Sequence, residues 1–200
     1  LTSTMLISLF EDQEGSLWVG SEGRGLNQYR DGLFTTLGSQ QGLTHEIALG
    51  LLEDHLGKVW VATFGGGLNQ FDGSEKPRVW TTQDGLLKDV VLPLGQASDR
   101  SIWLGTWGAG AQNLRGETFI NYTQADGLAH NKVRLIQELK NGRIMFGTNH
   151  GASLLEHGQF ISSPLLEELK DDKVMALLED EDQTLWVGTD RGIVRQQGET

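Results

Sequence analysis

Five histidines, a recurring set of acidic pairs and one glycine triplet are the residues of this 200-residue chain with chemistry within reach. His45 and His130 each stand three residues after a glycine, Gly42 and Gly127, and Lys88 holds the same place after Gly85. An equal offset puts the three at one end of a repeated element, where they face solvent or a ligand. A metal would need its ligands to converge within about 2.1 Å of one ion. Side chains on separate repeats do not converge in that way, so no metal site is expected. His45-Glu46 lacks the second histidine of a zinc-protease helix. The pairs Glu11-Asp12, Glu53-Asp54 and Glu179-Asp180 have the composition of general acid/base or calcium sites. They recur in equivalent turns, too far apart to share one substrate atom, and turn formation accounts for them. Gly65-Gly66-Gly67 has the composition of a phosphate cradle. It opens a strand rather than a helix, and so lacks the helix N-terminus that would hold an anion. The chain has no cysteine, serine elbow or dinucleotide fingerprint, and disulfides, thiolate chemistry and Cys-based zinc sites are excluded. No cofactor is expected.

The elements that carry these residues are repeats. Leu17-Trp18-Val19-Gly20 returns as Val59-Trp60-Val61-Ala62, Ile102-Trp103-Leu104-Gly105, Ile144-Met145-Phe146-Gly147 and Leu185-Trp186-Val187-Gly188. The second positions are spaced by 42, 43, 42 and 41 residues. Each run of apolar residues between turn formers reads as a short strand buried on both faces. The tryptophans predict an aromatic layer between neighbouring copies. The small residue two places later predicts close approach of a neighbouring backbone.

The second repeat shows the full order. A first strand over 47–52 is followed by a turn at Glu53 to Lys58 and a second strand from Val59 to Thr63. A flexible Gly65-Gly66-Gly67 connection leads to a third strand from Leu68, a hairpin at Asp72-Gly73 and a fourth strand near Arg78 to Thr81. Asp84-Gly85-Leu86 crosses to the next copy. The fourth repeat leaves differently, with 165–173 expected to form a short helical turn. In the third, Ala97-Ser98-Asp99-Arg100 has lost the Asp-x-x-Gly turn. Four strands in about 42 residues is the arithmetic of an all-β, β-propeller fold. The expected blades are 1–43, 44–86, 87–128, 129–170 and an incomplete 171–200: four complete and a partial fifth.

The net charge of −11 argues against nucleic acid or an anionic membrane as a partner, because phosphate binding needs clustered Lys and Arg. No apolar run reaches membrane-spanning length, and the first five residues are not a signal peptide.

The unit Leu-Leu-Glu-Asp-x-x-Gly-x-Val-Trp-Val, followed by Thr, Gly-Gly-Leu-Asn and Asp-Gly-Leu, resembles the two-component regulator propeller repeat. It is fullest at 51–86 and 6–43, with 177–195 matching the first half. The resemblance implies the extracytoplasmic, periplasmic sensing region of a bacterial hybrid or sensor histidine kinase or a diguanylate cyclase. It also implies that the chain is part of a larger propeller of about seven blades. Closure would then leave blades one and five uncovered, and self-association through those edges is expected.

The connections between second and third strands differ most from blade to blade, while the framework repeats. A scaffold with one variable rim is how a binding surface should look. The candidate ligand contacts are Arg24, Phe64, Trp107, His150 and Arg191 on these connections, with His45, Lys88 and His130 on the crossings. The expected function is non-catalytic recognition of a small molecule or glycan. A lyase- or glycosidase-like propeller enzyme and a protein-interaction platform are the alternatives.

Overall fold

The computed structural model describes residues 5–74 and 76–197. The reading of residues 1–4 as other than a signal peptide lies outside the described residues. The chain divides into two compact units, 1–94 and 95–200.

The first unit holds two four-stranded antiparallel sheets in sequential order. One is β1 (Leu6–Glu11), β2 (Leu17–Ser21), β3 (Leu26–Arg30) and β4 (Leu33–Leu37). The other is β5 (Ala48–Glu53), β6 (Val59–Thr63), β7 (Leu68–Phe71) and β8 (Arg78–Trp80). β9 (Val91–Gln96) contains the division between the units and belongs to a sheet with β10 (Ile102–Thr106), β11 (Ala111–Arg115) and β12 (Thr118–Tyr122). The second unit continues with β13 (Val133–Glu138), β14 (Ile144–Thr148), β15 (Ala152–Glu156) and β16 (Gln159–Ile161). After the helix α1 (Pro164–Leu169) comes a three-stranded sheet of β17 (Val174–Glu179), β18 (Leu185–Thr189) and β19 (Gly192–Gln196).

The repeated Trp-x-small strand does what its composition predicts in the interior. Trp18 packs with Ala48, Val59 and Val61 of the following sheet, and Trp103 with Ile136, Ile144 and Phe146 of the sheet after it. A Cβ added to Gly20 would stand 2.7 Å from the Ala48 carbonyl oxygen, and one on Gly147 2.8 Å from Val174 Cγ1. The close approach therefore requires the missing side chain. The layer is not uniform. Trp18, Trp60 and Trp103 are 4–6% exposed, whereas Trp186 is 38% exposed. That departs from the expected equivalence: Trp18 and Trp103 are buried against the sheet that follows theirs, and among the described residues no further sheet follows that of Trp186.

The acidic turn is more than a solvated corner. Asp54 accepts from the backbone N–H groups of Leu56 and Lys58 through one oxygen, and from the Trp60 indole Nε1–H through the other at 2.8 Å. Asp12 does the same for Trp18 and Asp180 for Trp186. The turn thus clamps the tryptophan six residues ahead. Burial alone would raise the Asp12 pKa; the hydrogen bonds from Trp18 and Ser16 outweigh it and hold the carboxyl below its ordinary value.

The third-blade turn also persists without its signature. Arg100 takes φ 70° in the place held by Gly15, Gly57 and Gly142, and its N–H still donates to the Ala97 carbonyl. Gln183 takes φ 61° in the fifth blade. Asp99, displaced by two positions, instead accepts from Ser101 and pairs with Arg115. A non-glycine residue in the left-handed region costs about 1 kcal/mol, which the surrounding ladder outweighs.

The crossings are capped turns. Thr81 and Asp84 bracket a single 3-10 turn, as do Thr123 and Asp126. Gly85 and Gly127 close these turns at positive φ, and Leu86 and Leu128 then drop into the core. The Asp-Gly-Leu motif is therefore cap, left-handed stop and anchor. In the fourth blade α1 serves instead, with Ser163 as its N-cap, Pro164 opening it and Leu165 and Leu169 buried.

Candidate functional site

The connections between second and third strands and the crossings between sheets lie at the same ends of the sheets, and backbone hydrogen bonds lock them together. Gly25 N–H donates to the Glu46 carbonyl, Gly67 to Asp89, Gly110 to Asn131 and Gly151 to Asp172. These are the carbonyls of one equivalent position in successive crossings. The Gly65-Gly66-Gly67 connection is therefore fixed rather than flexible. Gly65 and Gly67 both donate to Asp89, and a Cβ on Gly67 would lie 2.1 Å from the Trp80 carbonyl oxygen.

In the first unit, Arg24 is exposed beside Glu46 and the 39–41 turn, which line a shallow cleft of about 410 Å³. His45 lies 6.2 Å, ring to ring, from Phe64, which is half exposed. The His45 Nδ1 accepts from the Ile47 N–H, so a neutral ring carries its proton on Nε2. Lys88 is exposed on the next crossing.

In the second unit, Trp107 bridges to Lys132 through the backbone. The Lys132 ammonium lies 5.0 Å and the Arg134 guanidinium carbon 5.3 Å from the indole centroid. His130 and His150 stand 5.2 Å apart. His130 Nδ1 accepts from the Lys132 N–H, repeating the His45 geometry. Burial, together with the adjacent His150 and Lys132, lowers the His130 pKa below its ordinary value, so this ring is neutral at neutral pH. Arg191 meets the carboxylate of Asp172, which is buried, and so serves as a strut of the framework.

The structure thus brings Trp107, His130 and His150 together in one unit, and His45 with Phe64 in the other. Lys132 and Arg134, not singled out from sequence, join the first group, as does Asn149 of the variable Asn149-His150 connection. Their signal was there. The first strands of the other blades carry Ile7, Leu49, Leu92 and Met175 where this one carries Arg134. The pairing register shifts between Val133 and Leu135, so Arg134 is the extra residue of a β-bulge. The same bulge recurs at Ile7, Leu49 and Met175. A bulge re-aims the side chain it carries, and only in the fourth blade of this repeated device is that side chain charged.

The pattern of the two component regulator propeller family matches residues 1–23 and 168–191, and the chain carries that repeat. Among solved structures, the extracellular domain of a putative one component system from B. thetaiotaomicron is similar over 98% of this chain and 30% of its own, at 21% identity and a TM-score of 0.79. The extracellular domain of a putative hybrid two component system from the same organism is similar over 98% and 33%, at 19% identity and a TM-score of 0.58. Virginiamycin B lyase from Staphylococcus aureus is similar over 98% and 71%, at 12% identity and a TM-score of 0.75. These likenesses show the fold, a β-propeller. The chain spans 30% of the length of the first of these proteins. No curated protein matches the chain by sequence. Among the described residues no helix is long and apolar enough to cross a membrane.

Proposed function

We propose that the chain is a ligand-recognising part of an extracytoplasmic, periplasmic sensor propeller, acting by binding rather than catalysis. The observation that carries the reading is the division of labour within each blade. In three blades Asp12, Asp54 and Asp180 repeat the same turn hydrogen bonds, while the opposite ends of the sheets present a different set of side chains each time. The repeat itself, and the likeness to extracellular domains of signalling systems, support a sensor over other propeller roles.

A glycan and small-molecule array, followed by affinity measurement on the best hit, tests this. Trp107→Ala or Arg24→Ala should weaken that hit at least about tenfold, a change of about 1.4 kcal/mol, with little loss of thermal stability. Glu181→Gln, on the opposite turn, should leave it unchanged. An equal loss from Glu181→Gln would put recognition on the wrong end. Arg191→Ala is unsuitable as a probe, because it strands the buried Asp172 carboxylate.

A lyase-like enzyme is the second reading, favoured by the fold shared with virginiamycin B lyase and by the His130–His150 pair. Against it, His130 spends Nδ1 on a backbone N–H, leaving Nε2–H as a donor rather than a base. Turnover of virginiamycin B by the chain would favour the enzyme.

The apolar faces exposed at Leu6 and Leu9 of β1, and at Met175, Leu178 and Ile193 of the last sheet, are the proposed self-association surfaces. Sedimentation should show association rising with concentration and reversed by Leu178→Lys with Ile193→Lys. A monomer at every concentration would contradict it.

A further inference from the structure

The chain carries a net charge of −11, and several of its arginines are held against carboxylates. Arg30, Arg115, Arg143 and Arg191 each face a carboxylate. The group around Trp107 breaks that pattern. Lys132, Arg134, His130 and His150 gather in one patch, and among the described residues none has a carboxylate within 4.0 Å. Lys132 and Arg134 are like charges brought together without a counter-charge, which destabilises a fold, and here they are held together by the backbone. Arg134 is the bulge residue of β13, its Nε–H donates to Asn149 Oδ1 at 2.5 Å, and its guanidinium faces the Trp107 ring. The terminal nitrogens of Arg134 have no protein acceptor among the described residues. Lys132 is placed on the same ring by its backbone bridge to Trp107. Two cations fixed on one indole are oriented in advance and partly desolvated, which is what a strong charge-assisted contact to an oxyanion needs.

We propose that Lys132 and Arg134, ordered by Trp107 and Asn149, form an anion-binding subsite for a small ligand bearing a carboxylate or sulfate. The proposal deepens the recognition reading above and rests on it. The Arg134 fork takes two oxygens, Lys132 supplies the second positive charge and Trp107 shields both from water. A polyanion such as nucleic acid is disfavoured, because the acidic remainder of the chain repels an extended phosphate backbone.

The test is a titration of the full chain, followed by the indole resonance of Trp107, with sodium sulfate, sodium D-glucuronate, D-glucose and ionic-strength-matched sodium chloride. Sulfate, glucuronate or both should shift that resonance saturably, with glucose and chloride at least tenfold weaker. Tighter glucuronate identifies a carboxylate on a sugar as the preferred form. Equal binding identifies a free oxyanion as sufficient. Arg134→Gln and Lys132→Met should each weaken binding about tenfold or more, and Arg134→Lys should restore part of it. Anions that fail to bind, bind no better than glucose, or bind both charge-neutral variants as well as the parent overturn the subsite. A neutral glycan lost on Trp107→Ala with no anion preference would overturn the subsite alone and leave the recognition reading standing. A fold check by thermal melting accompanies each variant.

Discussion

Trp60→Ala is expected to lower unfolding free energy by about 3–5 kcal/mol, the range for truncating a buried aromatic. Trp60 is 4% exposed, stacks on Trp80 with ring centroids 5.1 Å apart and is clamped by Asp54. Its loss removes the contact surface between the strands and leaves a cavity that neighbouring side chains cannot fill. The same change at Trp186 should cost about 1 kcal/mol or less. That ring is 38% exposed, and Arg195 at 5.2 Å is its main cover. Urea unfolding of the two variants beside the parent measures the difference. Equal losses would mean that the cost does not follow the burial of the ring.

Asp54→Ala should cost about 2–4 kcal/mol, because three N–H donors lose a charged acceptor and one of them, the Trp60 indole, is buried. Asp54→Asn should cost less, since the amide oxygen can keep the turn bonds while the second oxygen is lost. Asp180→Ala, in the exposed copy of the turn, should cost the least. A cost at Asp180 equal to that at Asp54 would remove burial from the explanation. The acid response has the same origin. Hydrogen bonds from the indole and the turn backbone hold the Asp180 pKa below its ordinary value, and those at Asp12 do so against burial. A depressed folded-state pKa gives stability that is complete above the unfolded value near 4 and is lost as pH falls through the folded value. Stability should therefore be level from pH 7 to about 5 and decline below about 4.

The blade order was legible because it rests on spacing: Trp18, Trp60, Trp103 and Trp186 announce second strands, and Asp-Gly-Leu announces crossings. The helix after the fourth blade was legible from the loss of that motif. Three things were hidden. Arg100 and Gln183 occupy left-handed turn positions where glycine is the expected residue, so sequence alone read the third turn as lost. The indole-to-carboxylate bond depends on how the ring lies, and a six-residue spacing does not give that. The exposure of Trp186 depends on what covers it, and identical residues in identical strands carry no such information. Of the candidate site, Trp107 and His150 were readable as departures on the variable connections, and His130 from holding the same crossing place as His45. Arg134 was equally a departure, but its meaning comes from the bulge that turns it toward Trp107, and a bulge leaves no mark in the residue order.

We propose that the repeated turns are framework and that the connection ends of the sheets recognise a ligand. Hydrogen exchange, measured with and without the best array hit, tests it most directly. New protection is expected only at the connections at 22–25, 64–67, 107–110, 149–151 or 190–191 and the crossings beside them, with the Asp12, Asp54 and Asp180 turns unchanged. Protection centred on those Asp turns, with the connections unchanged, would contradict it.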